Sequence, residues 1–428
     1  MKKRSARTTL TTLAGVLALL AVPGTARAAD GGQGPDRGRQ GVSEVLYNLG
    51  DEAFRPPKSL GYVGNNELDG AVYVPADLAE GRHPLIVIEH GIHATCADAD
   101  AARDLAAAKA ALARDEETGD TADAEKQQAV IDATVAALYA WPCAPGTDQI
   151  PSYRGYDYLG RDLARRGFVV VSIGTNGINS TSFGQADTVY QARAKLIERH
   201  LVMWRQLSQF GGGPLKGAFT DAASGRASAV DFRGHVDLGN VGLIGHSMGG
   251  AAVMQEIDDP NRASWPRGVT IRAAFALAPA ATWDEVTVTR TPFAVMWGTC
   301  DTTNGGTYVE QNAARNKVPI TKFTLTGGVH NFYNTQWSPA GGQVLSEDES
   351  FPGSRPGTCM AQFPDADYPQ RDQDELSERQ QRLLTRDYVG AFFAHHLLGD
   401  RRYDAVLRGE ERFPGAPDVV DVRYDAGR

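Results

Sequence analysis

The hexapeptide Gly245-His246-Ser247-Met248-Gly249-Gly250 is the part of the sequence best equipped for chemistry. It has the G-x-S-x-G spelling, follows the apolar run Val241-Gly242-Leu243-Ile244 and precedes Ala251-Ala252-Val253. A buried strand turning sharply into a helix would force Ser247 into strained backbone angles, and any side chain at Gly245 or Gly249 would clash across that turn. The serine oxygen would then stand at the top of a sheet, near the positive end of a helix. The chemistry this suits is attack on an acyl carbon. A serine hydroxyl is a weak nucleophile until a base takes its proton and a third group orients that base.

Where such an elbow operates, the acid and then the histidine follow the serine in chain order. Asp301 closes Phe293-Ala294-Val295-Met296-Trp297-Gly298-Thr299-Cys300, at the C-terminal edge of an expected strand. His330 follows residues 322–325 and the flexible Thr326-Gly327-Gly328-Val329. Asp284, after the preceding strand, is the second choice of acid. His395 and His396 share an amphipathic helical pattern with Leu384, Tyr388 and Phe392, and read as structural. Charge developing on a carbonyl oxygen needs backbone N–H donors. Met248 supplies one, and Ile92 is the expected second, in a loop that Gly91 lets turn tightly; His93 stays open as its alternative. His90 reads as a hydrogen-bonded organiser of that loop rather than a second base.

Together, His90-Gly91, the elbow hexapeptide, Asp301 and His330 resemble the α/β-hydrolase superfamily. More narrowly, the chain is similar to secreted actinobacterial hydrolases related to the dienelactone hydrolase, platelet-activating-factor acetylhydrolase and chlorophyllase-like groups. The likeness spans residues from about 60 to 400 in topology, on short motifs. It implies an α/β-hydrolase fold and hydrolysis of small-molecule or lipid esters through an acyl-enzyme, with no metal or organic cofactor. Peptidases and amidases use the same triad, and a silent hydrolase scaffold could serve binding alone. The sequence leaves those readings open, together with acyl-chain length and oligomeric state.

The elements that must position these residues are legible as short apolar runs at 85–89, 168–173, 241–244, 273–277, 293–297 and 322–325, with helical patterns between several of them. Strand and helix alternating in this way predict an α/β fold with a mostly parallel central sheet and helices on both faces. The C-terminal ends of parallel strands share one edge, where such proteins build their sites. Residues 97–141 break the rhythm. Rich in Ala, Asp, Glu, Lys and Gln, they predict a helical hairpin turning near Gly119, inserted after the first buried strand and solvated rather than closing over the site. Cys96 and Cys143 would clamp its base. The organisation expected is a lead-in with a first strand region at 29–59, a domain at 60–410 and a tail at 411–428.

The N-terminus sets the compartment. Lys2, Lys3, Arg4 and Arg7 precede the apolar stretch from Leu13 to Val22, and Ala26-Arg27-Ala28 has the small-x-small cleavage pattern of a secretory signal at residues 1–28. Cleavage near Ala28 would leave a secreted protein with no stable membrane anchor. It would also remove five cations, taking the formal charge from −9 to −14. An acidic body without a basic run argues against nucleic acid and anionic membranes as partners. Four cysteines, Cys96, Cys143, Cys300 and Cys359, permit three pairings in an oxidising compartment. The most local, Cys96–Cys143 with Cys300–Cys359, is favoured because it would pin the acid loop beside Asp301. No CxxC pair supports zinc.

Overall fold

The run ending at Glu89 forms a strand in which every residue is buried. Leu85 and Val87 join one apolar cluster, Ile86 and Ile88 the other. That alternation is what a strand sandwiched between two helical layers requires. The computed structural model describes residues 41–182, 186–282, 284–302, 307–344, 353–361 and 371–428. The expected signal at 1–28 and its cleavage point near Ala28 lie outside them.

The strands are β1 Ser43–Asn48, β2 Asp69–Val74, β3 His83–Glu89, β4 Val169–Ile173, β5 Thr220–Asp221, β6 Val236–His246, β7 Ile271–Leu277, β8 Phe293–Gly298, β9 Ile320–Leu325, β10 Thr358–Met360, β11 Asp372–Asp374 and β12 Val420–Asp425. Ten of them form one sheet, in the order β12-β9-β8-β7-β6-β3-β4-β2-β1-β5. The run from β9 across to β4 is parallel, while β2, β1, β5 and β12 join it antiparallel. The helices are α1 Ala99–Thr118, α2 Thr121–Leu138, α3 Asp157–Arg165, α4 Asn176–Ser180, α5 Ala186–Phe210, α6 Met248–Ile257, α7 Tyr308–Ala313, α8 Glu378–Leu398 and α9 Asp404–Leu407. Apolar residues of α5 and α6 pack on one face of the sheet, and those of α3 and α8 on the other.

All six strands expected from apolar runs are present. The Ala-rich insertion is a helical hairpin, capped by Asp98 and Asp120, whose turn passes through Gly119 at φ 75°. The cysteines pair as Cys96–Cys143 at its base and Cys300–Cys359 beside Asp301. Cys359 lies on a two-stranded ribbon, β10 with β11.

Two expectations need correcting. The strand at 85–89 is not the first buried one, because β2 is buried along its whole length and lies beside β4. Asp69 and Gly70 open it, which leaves the apolar run Ala71-Val72-Tyr73-Val74 too short to stand out in the sequence. Residues 411–428 are not a tail outside the domain, since β12 pairs with β9 from Val420 opposite Leu325 to Asp425 opposite Ile320. Only Val420 of that strand is fully buried, so its sequence carries almost no hydrophobic signal. Among the described residues no helix is long and apolar enough to cross a membrane.

An uncovered strand edge offers unpaired backbone groups to other chains. Ending the chain at Gly415 removes β12 and bares β9. The truncated protein is expected to melt several degrees lower and to aggregate on size-exclusion chromatography. Unchanged melting and a monodisperse peak would show that β12 contributes nothing to the sheet.

Candidate active site

Strand β6 runs into helix α6 through a single residue, Ser247, at φ 55° and ψ −121°. A non-glycine residue rarely adopts positive φ, and such strain persists only where the surroundings enforce it. Here they do. Ser247 N–H donates to Leu277 O at 2.9 Å, and its carbonyl accepts from Ala280 N–H at 2.9 Å and Ala251 N–H at 3.1 Å. The neighbouring turn after β7 is itself forced, with Ala278 at φ 41° and its N–H on Met296 O at 2.7 Å. A Cβ on Gly245 would lie 2.1 Å from Gly249 O, and one on Gly249 would lie 2.4 Å from Glu89 O. Both elbow glycines are therefore sterically required.

Gly91 stands directly against the serine. A Cβ there would lie 2.5 Å from Ser247 Cβ and 3.1 Å from its Oγ. The loop after β3 thus passes over the elbow. Neither Ile92 N–H nor Met248 N–H makes a hydrogen bond to the described residues. His90 stays beneath, accepting from Thr175 N–H at Nε2 (3.0 Å) and donating from Nδ1 to Gly91 O (2.9 Å). Burial, with Arg193 adding to it, pushes the His90 imidazole down to about 3, so it is neutral and fixed in one tautomer. The His93 ring stacks on Trp337 at 5.2 Å between centroids.

Asp301 and His330 follow β8 and β9, and both are buried. His330 Nδ1 donates to Asp301 Oδ2 at 2.8 Å. Asp284, the second choice of acid, instead accepts from Tyr190 OH at 3.2 Å. A carboxylate on one imidazole nitrogen orients the ring and stabilises its cation. His246 ties this pair to the elbow: its Nε2 donates to His330 O (3.0 Å), its Nδ1 accepts from Tyr156 OH (2.9 Å), and its ring lies 5.0 Å from that of His330. Of the two later histidines, His395 contacts Asp404 at 2.7 Å and His396 packs on Phe392.

Three groups of positioning residues escape a sequence reading. Arg193 of α5, fully buried, donates to His90 O and Thr175 Oγ1 at 2.9 Å each, to Asn179 Oδ1, and to Glu89 Oε1 at 3.4 Å. Its one signal in the sequence is its place on the apolar stripe of α5, four residues from both Val189 and Ile197. Asn179 in turn donates to Gly91 O at 3.2 Å and His93 O at 3.4 Å. Gln381 of α8 clasps the residue before His330, accepting from Val329 N–H (2.8 Å) and donating to Val329 O (2.7 Å). Among the described residues no group of three His, Cys, Asp or Glu side chains could hold a metal ion.

The strain at Ser247 predicts a stability effect. Glycine tolerates positive φ, which relieves about 1–3 kcal/mol, against a backbone-entropy loss of about 0.5–1 kcal/mol. Ser247→Gly is expected to raise unfolding stability in urea by about 1 kcal/mol; a clear loss would mean the turn is unstrained. His90 predicts a pH effect. Its folded value, about 3, lies below the ordinary 6.5, so it contributes stability above about pH 6.5 that is lost as pH falls toward 3. Glu89, pushed up to about 8 by burial against the opposing pull of Arg193, acts in the other direction, so the test is a comparison. His90→Gln should show a shallower loss of melting temperature between about pH 6.5 and 4 than the parent chain. Parallel curves would contradict it.

No protein-family model matches the chain, and no curated protein compared with it matches either.

Proposed function

We propose that this chain is an exported serine hydrolase of the α/β-hydrolase type that cleaves carboxylic esters through an acyl-enzyme. The observation that carries this reading is Ser247 at positive φ, at the sheet edge to which the buried Asp301–His330 pair also belongs. Strained backbone of this kind is kept where function needs it. The elbow's context, a parallel strand before it and a helix after it, is the one the motif requires. The two cysteine pairs fit an oxidising compartment, in line with the signal pattern of residues 1–28.

In this mechanism Ser247 Oγ bonds to the ester carbonyl carbon while His330 Nε2 takes its proton. Nδ1 stays on Asp301, whose carboxylate stabilises the imidazolium. The carbonyl π electrons move to oxygen, and the resulting oxyanion is received by Met248 N–H and Ile92 N–H. When the tetrahedral species collapses, the C–O bond to the alcohol breaks and the alcohol leaves with the proton from His330. Water then repeats the sequence on the acyl-serine, releasing the acid and restoring the serine.

His246 is not the base in this scheme, since both of its ring nitrogens are engaged and burial holds it well below the usual histidine range. Gly91 acts sterically: any larger residue would push the oxyanion loop off the serine.

A fluorophosphonate probe is expected to label Ser247, located by peptide mass mapping, and the protein should turn over p-nitrophenyl esters. Ser247→Ala should abolish labelling, and His330→Ala should slow turnover by about 10³-fold or more. Folded, disulfide-bonded protein that neither labels nor turns over ester would reject the proposal.

A further inference from the structure

Beyond residue 28 the sequence has no basic run, yet the fold assembles an arginine-lined cleft. Arg161 and Arg165 stand one turn apart on α3, and Arg379, Arg382 and Arg386 fall at i, i+3 and i+7 on α8. Residues at those spacings share a helix face. The two faces meet across a cleft of about 340 Å³ with Tyr158 and Leu383 in its lining. That volume lies within the range of small-molecule sites.

Three of the five guanidiniums are balanced by carboxylates. Arg161 pairs with Glu44 at 2.7 Å and Asp157 at 3.3 Å, Arg382 with Glu378 at 2.9 Å, and Arg386 with Asp387 at 2.8 Å. Arg165 and Arg379, both exposed, have no carboxylate partner among the described residues. Two uncompensated cations in one cleft repel each other, and a planar guanidinium fork matches the oxygens of a phosphate or carboxylate. The arginine stems, Tyr158 and Leu383 add apolar surface beneath those charges. In a chain of net charge −9, this concentration of positive charge is local to the α3–α8 face.

We propose that this cleft is a binding site for a small amphiphilic oxyanion, its charged head held by Arg165 and Arg379 and its apolar body laid against Tyr158 and Leu383. The site is separate from the serine but shares a wall with the base turn. Arg382 donates to Phe332 O at 3.4 Å and Tyr158 OH to Tyr333 O at 3.1 Å, within the turn His330–Tyr333.

Isothermal titration of the full chain with phenyl phosphate, inorganic phosphate and phenol tests this at low ionic strength. Phenyl phosphate should bind at one site, several-fold more tightly than inorganic phosphate, and phenol should not bind. Arg165→Gln with Arg379→Gln should weaken phenyl phosphate by about tenfold or more, and each single variant by less. About 1 M salt should weaken binding in the parent chain. Melting curves of the variants report that they fold. Absence of phenyl phosphate binding, or binding untouched by the arginine variants, overturns the proposal. Equal affinity for the two anions would overturn the role of the apolar floor.

Discussion

Ser247 keeps its unusual backbone angles because the exit of β7 grips it on both sides. Leu277 O takes the serine N–H and Ala280 N–H holds the serine carbonyl, so the elbow cannot relax without tearing from the neighbouring strand. Pro279 fills the space between those two anchors, where a Cβ on Gly250 would lie 2.8 Å from Pro279 Cβ. The β7 turn is held in its turn by Met296 O of β8 through Ala278 N–H. The tension at Ser247 is thus spread across three adjacent strands of a sheet whose interior is buried on both faces. A sheet this well packed deforms little, which is the condition for strain at one residue to survive.

The loops that carry Asp301 and His330 obey the same logic through backbone contacts. Gly298 and Gly328 touch so closely that a Cβ on Gly298 would lie 2.2 Å from Gly328 O. Cys300 N–H donates to Gly328 O at 2.9 Å, and Thr299 Oγ1 accepts from Gly327 N–H at 2.9 Å. The Cys300–Cys359 pair then packs against Val329 and Phe332, either side of His330. Asp301 and His330 are therefore carried by one cross-braced unit, and Gln381 fastens that unit to α8.

What could be read beforehand was whatever is local in sequence. An apolar run of five residues declares a buried parallel strand, and a glycine two positions from a serine declares a tight turn. Chain order then picked Asp301 and His330, and the structure brings those two side chains together. The edges of the sheet were opaque because edge strands such as β12 bury little, and β2 because it opens on Asp69 and Gly70 and keeps an apolar run of only four residues. Arg193, Asn179 and Gln381 were opaque for another reason. Each is a polar residue whose burial makes sense only beside partners contributed by distant segments, Arg193 meeting His90 from 103 residues away. The arginine cleft is of the same kind, since neither helix alone makes it.

The buried polar network under the loop after β3 also explains where that loop's N–H groups point. In a trans peptide the C=O and the following N–H lie on opposite sides. The carbonyl of His90 is held by Arg193, which turns Gly91 N–H the other way. The carbonyl of Gly91 is held twice, by Asn179 and by His90 Nδ1, which turns Ile92 N–H the other way as well. An apolar cushion could pack under this loop but could not choose the direction of its peptide planes. Fixing that direction requires donors beneath it, and donors that deep must be satisfied themselves. That is the reason a guanidinium, an amide and a neutral imidazole lie where hydrophobic side chains would otherwise be expected.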